Sequence, residues 1–339
     1  MSRPLQSMPG DPTPRLQVEY VHAASPAPLL AGHDILAVLG FGDAPQLDDP
    51  RYLRVPLMPH GVAPFEVWHG NAPVVHGRDG DIRWSSDGQL LFGVIEVDEA
   101  RFEAAGESAI TAAAEHAYAR MTGFVRGSDT PHLLRIWNYL DAITLGEGDA
   151  ERYREFCVGR ARGLGDFDAL DLPAATAIGR CDDARVVQVY WLAARAPGTP
   201  VENPRQVSAY RYPRQYGRQQ PSFARAMLPP PGSAMPLLLS GTASVVGHAT
   251  AHVGELLAQL DETFNNFDAL IDAARARRSD LPANFGAGSR LKVYVRDHGD
   301  MAAVAEALDR RLGDRVPRLL LHAAICRREL AVEIDGVHG

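Results

Sequence analysis

The chain has 339 residues, 46% of them apolar and 22% charged, the balance of a globular protein of about two domains. Its formal charge of −8 argues against nucleic-acid binding through a bulk positive field. Of 34 basic residues only Lys292 is lysine, leaving 33 arginines, so a G-x-x-x-x-G-K-[ST] phosphate loop is excluded and a Schiff base would have to use Lys292. No apolar run approaches the roughly 18 residues of a membrane span. Cys157, Cys181 and Cys326 form no C-x-x-C pair, and neither a disulfide framework nor a zinc knuckle follows. Residues 1–15, proline-rich and without an apolar segment, read as a disordered lead-in rather than a signal peptide, and the protein is expected in the cytoplasm.

In chain order, 17–22 and 34–39 are short runs rich in β-formers. Residues 82–84 and 90–97 flank Ser85-Ser86-Asp87-Gly88, a hairpin signal. An alanine-rich helix is expected over 99–122, then a buried strand over 132–140. Gly146-Glu147-Gly148-Asp149 is a break and the expected boundary between an N-terminal domain (16–148) and a C-terminal one (149–336). A helix over 150–162 and strands over 185–194 and 206–212 follow. A loop with Pro229-Pro230-Pro231 and a strand over 235–239 lead into Ser240-Gly241-Thr242. The clearest helix is 252–275, with Val253, Leu256, Leu257, Leu260, Phe264, Phe267, Leu270, Ile271 and Ala274 on one face. The end reads as strand 291–296, helix 301–312, strand 319–325 and strand 330–334. The expected class is α/β of the α+β type, with mixed sheets flanked by helices. No G-x-G-x-x-G follows a strand, so a dinucleotide site is unsupported, and no G-x-S-x-G marks a nucleophilic serine.

Several constellations could carry chemistry. Tyr153 and Arg160 are seven apart on an expected helix, a turn of about 700°, so they share a face. The segment 210–225 holds Arg211, Arg214, Arg218 and Arg225 with Tyr210, Tyr212 and Tyr216 and no carboxylate. Forked guanidiniums and phenols suit a small dianion, while a loop paired with acidic residues elsewhere explains the segment equally well. His248 and His252 lie four apart, followed by Glu255, but a structural reading outweighs a metal one because Ala249 holds the place of the catalytic glutamate of H-E-x-x-H. Strand alternation puts Leu330, Val332 and Ile334 on one face and Glu333 on the other with Ala331 and Asp335. Glu333 could be a general acid with a raised pKa, but by itself it reads first as solvent-facing.

Together these segments resemble the chorismatase family. The residues that carry the likeness are Arg135-Ile136-Trp137-Asn138-Tyr139, Gly159-Arg160-Ala161-Arg162-Gly163-Leu164, Pro213-Arg214-Gln215-Tyr216-Gly217-Arg218, Pro221-Ser222-Phe223-Ala224-Arg225-Ala226, the stretch from Ser240-Gly241-Thr242 to His248, Glu262-Thr263-Phe264-Asn265-Asn266 and Val332-Glu333-Ile334. They run through residues 15–336 and lie nearest the subgroup that forms hydroxybenzoates, some of it in pigment biosynthesis. The C-terminal part separately resembles the reactive-intermediate deaminase (Rid) fold, through its Ser-Gly-Thr strand end, long helix with Gln259 and Asn265, β-α-β unit and last strand. The family resemblance implies a chain that is commonly monomeric, with no membrane or nucleic-acid partner, and chorismate as substrate.

The resemblance also implies roles. Tyr153, Arg160, Tyr212 and Arg225 match substrate-binding positions, and Glu333 matches the catalytic acid. Cys326 and the small Gly241 match residues of the group that makes 3-hydroxybenzoate, although Gly241 could simply serve a turn needing positive φ. Asn138, Tyr216 and Arg218 are further candidates for the pocket wall. Hydroxybenzoate plus pyruvate holds the same atoms as chorismate, so the implied reaction needs no cofactor, metal or net water. The implied product is 3-hydroxybenzoate, with 4-hydroxybenzoate left open as a second product; the other outcomes left open are a diol-forming chorismate hydrolase and a non-catalytic small-molecule binder.

Overall fold

The structure, a computed structural model, describes residues 13–103, 107–165, 168 and 171–339. Residues 1–12 of the expected lead-in lie outside these. Pro14 and Arg15 are already held, since Ala234 N donates to Pro14 O at 2.9 Å and Leu16 N to Ala234 O at 3.2 Å. Strands β1 (Gln17–Val21), β2 (Ile35–Phe41), β3 (Tyr52–Val55) and β4 (Phe65–His69) form one sheet in the order β1-β4-β2-β3. Pro56, Pro59 and Pro64 punctuate the stretch that holds β3 and β4, which hides both from a pattern reading.

A second sheet is built from β5 (Val75–Asp79), β6 (Ile82–Ser86), β7 (Leu90–Asp98), β8 (His132–Asp141), β9 (Ala174–Arg180) and β10 (Val186–Ala194), in the order β9-β8-β10-β7-β6-β5. The expected β6-β7 hairpin forms, its turn closed by Asp87 Oδ1, which accepts from Gln89 N at 2.9 Å and Leu90 N at 2.6 Å. The helix expected over 99–122 starts later. Asp98 caps a 3₁₀ turn, Glu99–Phe102, and α1 is Ala109–Arg126; residues 104–106 lie outside the described ones. The sheet crosses the expected boundary near Gly148, for β8 before it pairs with both β9 and β10 after it. Helices α1 and α2 (Arg152–Leu164) cover one face of this sheet. Gly159 lets them approach closely: a Cβ there would lie 2.1 Å from Thr111 O. That contact sets Arg160 beside the Tyr118 ring, 5.3 Å from its centroid.

The third sheet takes β11 (Thr199–Val201), β12 (Ala226–Leu228) and β13 (Leu237–Ala243). A ribbon follows, β14 (Val245–Val246) with β15 (Ala249–Thr250), then α3 (Leu256–Arg275), β16 (Arg290–Val295), α4 (Met301–Leu312) and β17 (Arg318–His322). After β18 (Ala324–Ile325), the last strand is β19 (Val332–His338). The order is β11-β12-β13-β19-β16-β17, with β16 and β17 parallel through α4. Leu260, Phe264, Phe267 and Leu270 of α3 and Val304 and Leu308 of α4 pack on Val332 and Ile334. The remaining faces of all three sheets share a core that includes Trp68, Phe92, Trp137, Tyr190, Leu238 and Leu321. Among the described residues no helix is long and apolar enough to cross a membrane.

Three further expected elements differ. Residues 206–212 form no strand but a loop with a 3₁₀ turn, Ala209–Arg211. The run 319–325 is two strands: β17 stays in the third sheet, while β18 leaves it to pair with the β9 edge. Helix α3 begins at Leu256, because His252 takes φ 54°, outside helical geometry.

Candidate active site

A cavity of about 510 Å³ opens where α2, β9, β13 and β19 meet, roofed by the long segment between β11 and β12. All seven expected site residues line it: Tyr153 and Arg160 from α2, Tyr212 and Arg225 from the roof, Gly241 from β13, Cys326 from the segment before β19 and Glu333 from β19 itself.

Alternation along β19 sends Val332 and Ile334 into the core under α3 and turns Glu333 the other way. That opposite face is not solvent. Glu333 is only 5% exposed, because β9 and the roof close over it, which overturns the solvent-facing reading. The β13-β19 register shifts between Leu239 and Thr242, and Gly241 N donates to Thr176 Oγ1 at 2.9 Å. A Cβ on Gly241 would stand 1.9 Å from Glu333 Oε1. The glycine thus leaves the space in which the carboxyl rests; its φ does not lie in the left-handed region.

Burial first, then the charge of Asp335, pushes the Glu333 carboxyl up to about 8, against the opposing pull of Arg135, Arg225 and Arg327. Glu333 thus holds a proton at neutral pH and can act as an acid. Cys326 Sγ approaches Glu333 Oε2 at 4.0 Å. Burial and the neighbouring Glu333 push this thiol far above its ordinary range, so it stays a neutral thiol. Burial likewise lifts the Tyr153 phenol well above its usual value and keeps it a donor.

Arg160 and Arg225 are 3% and 5% exposed. Arg160 Nη2 donates to Ser222 O at 2.6 Å. Arg225 Nη2 donates to Val207 O at 3.0 Å and to the Tyr212 hydroxyl at 2.6 Å. The Nε of each has no hydrogen-bond partner, and among the ion pairs of the described residues neither guanidinium meets a carboxylate. Arg225 lies within electrostatic reach of the Glu202 and Glu333 carboxyls but forms an ion pair with neither, and buried cations without a paired counter-ion are costly unless an anion arrives.

The donor-rich segment divides residue by residue. Arg214 pairs with Asp149 at the surface, and neither Arg211, Arg218 nor Tyr210 lines the cavity. Tyr212, Tyr216 and Arg225 do. Asn138 lies behind the wall, accepting from the Tyr118 hydroxyl at 2.6 Å and donating to Thr176 O at 2.8 Å. His248 sits in the β14-β15 turn and His252 ahead of α3, so no helical i, i+4 pair exists; among the described residues no three His, Cys, Asp or Glu side chains group as metal ligands. Lys292 is buried on Glu66 at 3.1 Å and is not in the cavity wall. The sequence reading missed Arg327, whose guanidinium lies 4.2 Å from the Tyr216 ring centroid and 5.1 Å from that of Tyr212. Its only linear signal is its place directly after Cys326.

The geometry can be set beside known proteins. The family model "Chorismatase FkbO/Hyg5-like, N-terminal" matches residues 66–193. A chorismatase of Streptomyces rapamycinicus is 36% identical over 280 residues, 80% of this chain and 81% of that protein. The chain belongs to the chorismatase family. A "3-hydroxybenzoate synthase" of Streptomyces hygroscopicus is 34% identical to this chorismatase-family chain over 324 residues, 90% of this chain and 92% of the relative. A crystal structure of a chorismatase superposes with TM-score 0.84 at 31% identity, covering 97% of this chain and 99% of that one. The three sheets described above are thus the chorismatase architecture along nearly the whole chain.

Proposed function

We propose that this enzyme converts chorismate to 3-hydroxybenzoate and pyruvate. One observation carries the reading: a single cavity holds two buried guanidiniums that form no ion pair among the described residues and a buried carboxyl that keeps its proton at neutral pH. Chorismate is a dianion with an acid-labile enol ether, and the two features answer its two needs. Arg160 and Arg225 each take a carboxylate and fix the ring. The Tyr212 hydroxyl, already bound to Arg225, orients that guanidinium.

Glu333 then donates its proton to the enolpyruvyl methylene carbon. The ether carbon becomes an oxocarbenium, with the Glu333 carboxylate as the nearby negative charge. The neighbouring hydroxyl oxygen attacks the ring carbon that bears the ether, the bond from that carbon to the ether oxygen breaks, and pyruvate leaves. The bridged oxygen then gives up its bond to its original carbon, and the newly oxygenated carbon loses its proton to the Glu333 carboxylate, which gives 3-hydroxybenzoate and restores the acid. Atoms balance with no oxidant and no net water. Simple elimination of the side chain would give 4-hydroxybenzoate, and attack by water would give the diol. Two residues favour the rearrangement. Gly241 lets the carboxyl lie flat against β13, and the neutral Cys326 thiol fills the place beside Glu333 where water would stand. The reading further expects a cytoplasmic monomer, as the family resemblance implies.

The test is to incubate purified enzyme with chorismate and to quantify pyruvate and aromatic products by liquid chromatography with mass detection. Equimolar pyruvate and 3-hydroxybenzoate are expected. A product heavier by one water would assign the diol reaction, and absence of pyruvate would leave only a binding protein. Arg225→Ala should raise KM by about 10- to 100-fold, since a charge-assisted contact contributes on the order of 1.5–3 kcal/mol. An unchanged KM would remove Arg225 from the binding site.

A further inference from the structure

Behind Glu333 lies a second buried acid that the reaction scheme does not use. Asp335 is two residues along β19 on the same face and fully buried. Its Oδ2 accepts from the Tyr294 hydroxyl at 3.1 Å and from Arg135 Nη2 at 3.3 Å. Its Oδ1 has no hydrogen-bond partner and lies 3.9 Å from Lys292 Nζ. Lys292 in turn binds Glu66 at 3.1 Å and the Tyr190 hydroxyl at 3.2 Å. The four ionic side chains come from β4, β8, β16 and β19, and each is buried.

This cluster is charge-balanced without Glu333, with two cations (Arg135, Lys292) facing two anions (Glu66, Asp335). It also reaches the active site directly. Arg135 donates to Thr176 Oγ1, the atom that accepts from Gly241 N beneath the Glu333 carboxyl. A further negative charge on Glu333 would therefore stand next to Asp335 with no unspent cation behind it.

We propose that Asp335 is a positioning residue for the reaction, acting through Glu333: its buried charge completes the balance of the cluster, so that Glu333 enters each turnover carrying its proton. The proposal rests on the chorismate-converting reading. The other groups facing Glu333 are Arg225 from the roof, Arg327 and Cys326 from the segment before β19, Tyr153 from α2 and Arg296 at the end of β16. Arg225 is engaged by substrate in the scheme above. Arg296 is spent on the carbonyls of Leu330, Ile325 and Arg327. Arg327 is held on His248 O at 2.9 Å and stacked on Tyr216. Among the described residues only Asp335 contributes negative charge from behind.

The test is the pH profile of kcat/KM. In the wild-type enzyme the rate should fall as pH rises through about 8, as Glu333 loses its proton. Two strand residues on one face lie about 7 Å apart, so removing one charge there moves the limb by roughly one to two pH units. Asp335→Asn keeps the shape and should bring the alkaline limb down by that amount. Its loss of rate relative to wild type should then be about three- to twentyfold larger at pH 7.5 than at pH 5.5. A merely structural Asp335 would lower the rate equally at both, and an unmoved limb overturns the proposal. If Asp335→Asn does not fold, Tyr294→Phe carries the test. It strips a donor from Asp335 but keeps the charge, so the limb should rise; a limb that stays or falls overturns the proposal. The Glu333 carboxyl carbon, followed by ¹³C resonance in labelled protein and assigned by its absence in Glu333→Gln, separates this inference from the reaction. If wild type releases no pyruvate, the function fails, yet the Glu333 titration should still drop in Asp335→Asn.

Discussion

Replacing Glu333 by glutamine should reduce turnover of chorismate by about a thousandfold or more, the scale of a lost general acid at a carbon centre. Substrate affinity should survive, because the anion-binding guanidiniums of Arg160 and Arg225 are untouched. The same variant should be more stable than wild type at alkaline pH. In the folded enzyme Glu333 keeps its proton up to about 8, while in the unfolded chain it ionises near 4.5. Its contribution to stability is full below about 4.5 and is lost as pH rises to 8, a swing of roughly 3–5 kcal/mol. Glutamine does not titrate, so the melting temperatures of the two proteins should diverge between pH 5 and pH 8. A variant that turns over at wild-type rate would end the assignment of Glu333. Parallel melting curves across that range would show that the carboxyl is not held neutral.

The second large effect is expected at Gly241. An added methyl group would occupy space 1.9 Å from Glu333 Oε1, and the strand on which it sits cannot yield, because Gly241 N is fixed on Thr176 and Ser240 Oγ bonds Ala224 O and Ala175 N. The Glu333 carboxyl must swing instead. Gly241→Ala should therefore fold, at a cost of about 1–3 kcal/mol, but lose at least tenfold in kcat and shift product away from 3-hydroxybenzoate. Product ratios measured at equal conversion check this. An unchanged ratio and rate would mean that the carboxyl finds an equivalent seat and that the glycine is not selective.

Much of the site was legible in the linear sequence for a simple reason. Tyr153 and Arg160 share a helix face by spacing, and Glu333 alternates against Val332 and Ile334, so their directions follow from local periodicity. The donor-rich segment was legible only as a composition. Which arginines served the cavity depended on distant partners: Asp149 claimed Arg214, whereas among the described residues no carboxylate forms an ion pair with Arg225. Arg327 was missed because a single arginine in a loop has no periodicity, and its role comes from stacking on Tyr212 and Tyr216 more than a hundred residues earlier.

By itself the sequence determined the class of fold, most helices and long strands, the family likeness and the shortlist of site residues, since these depend on local pattern and on residue identity. The tertiary structure decided the rest. It ran the second sheet across the expected boundary near Gly148, moved β18 onto the β9 edge and made a loop of 206–212. It also decided the state of Glu333. A glutamate between apolar neighbours reads as solvent-facing until β9, the roof and Asp335 are brought against it, and only that long-range burial makes it an acid at neutral pH.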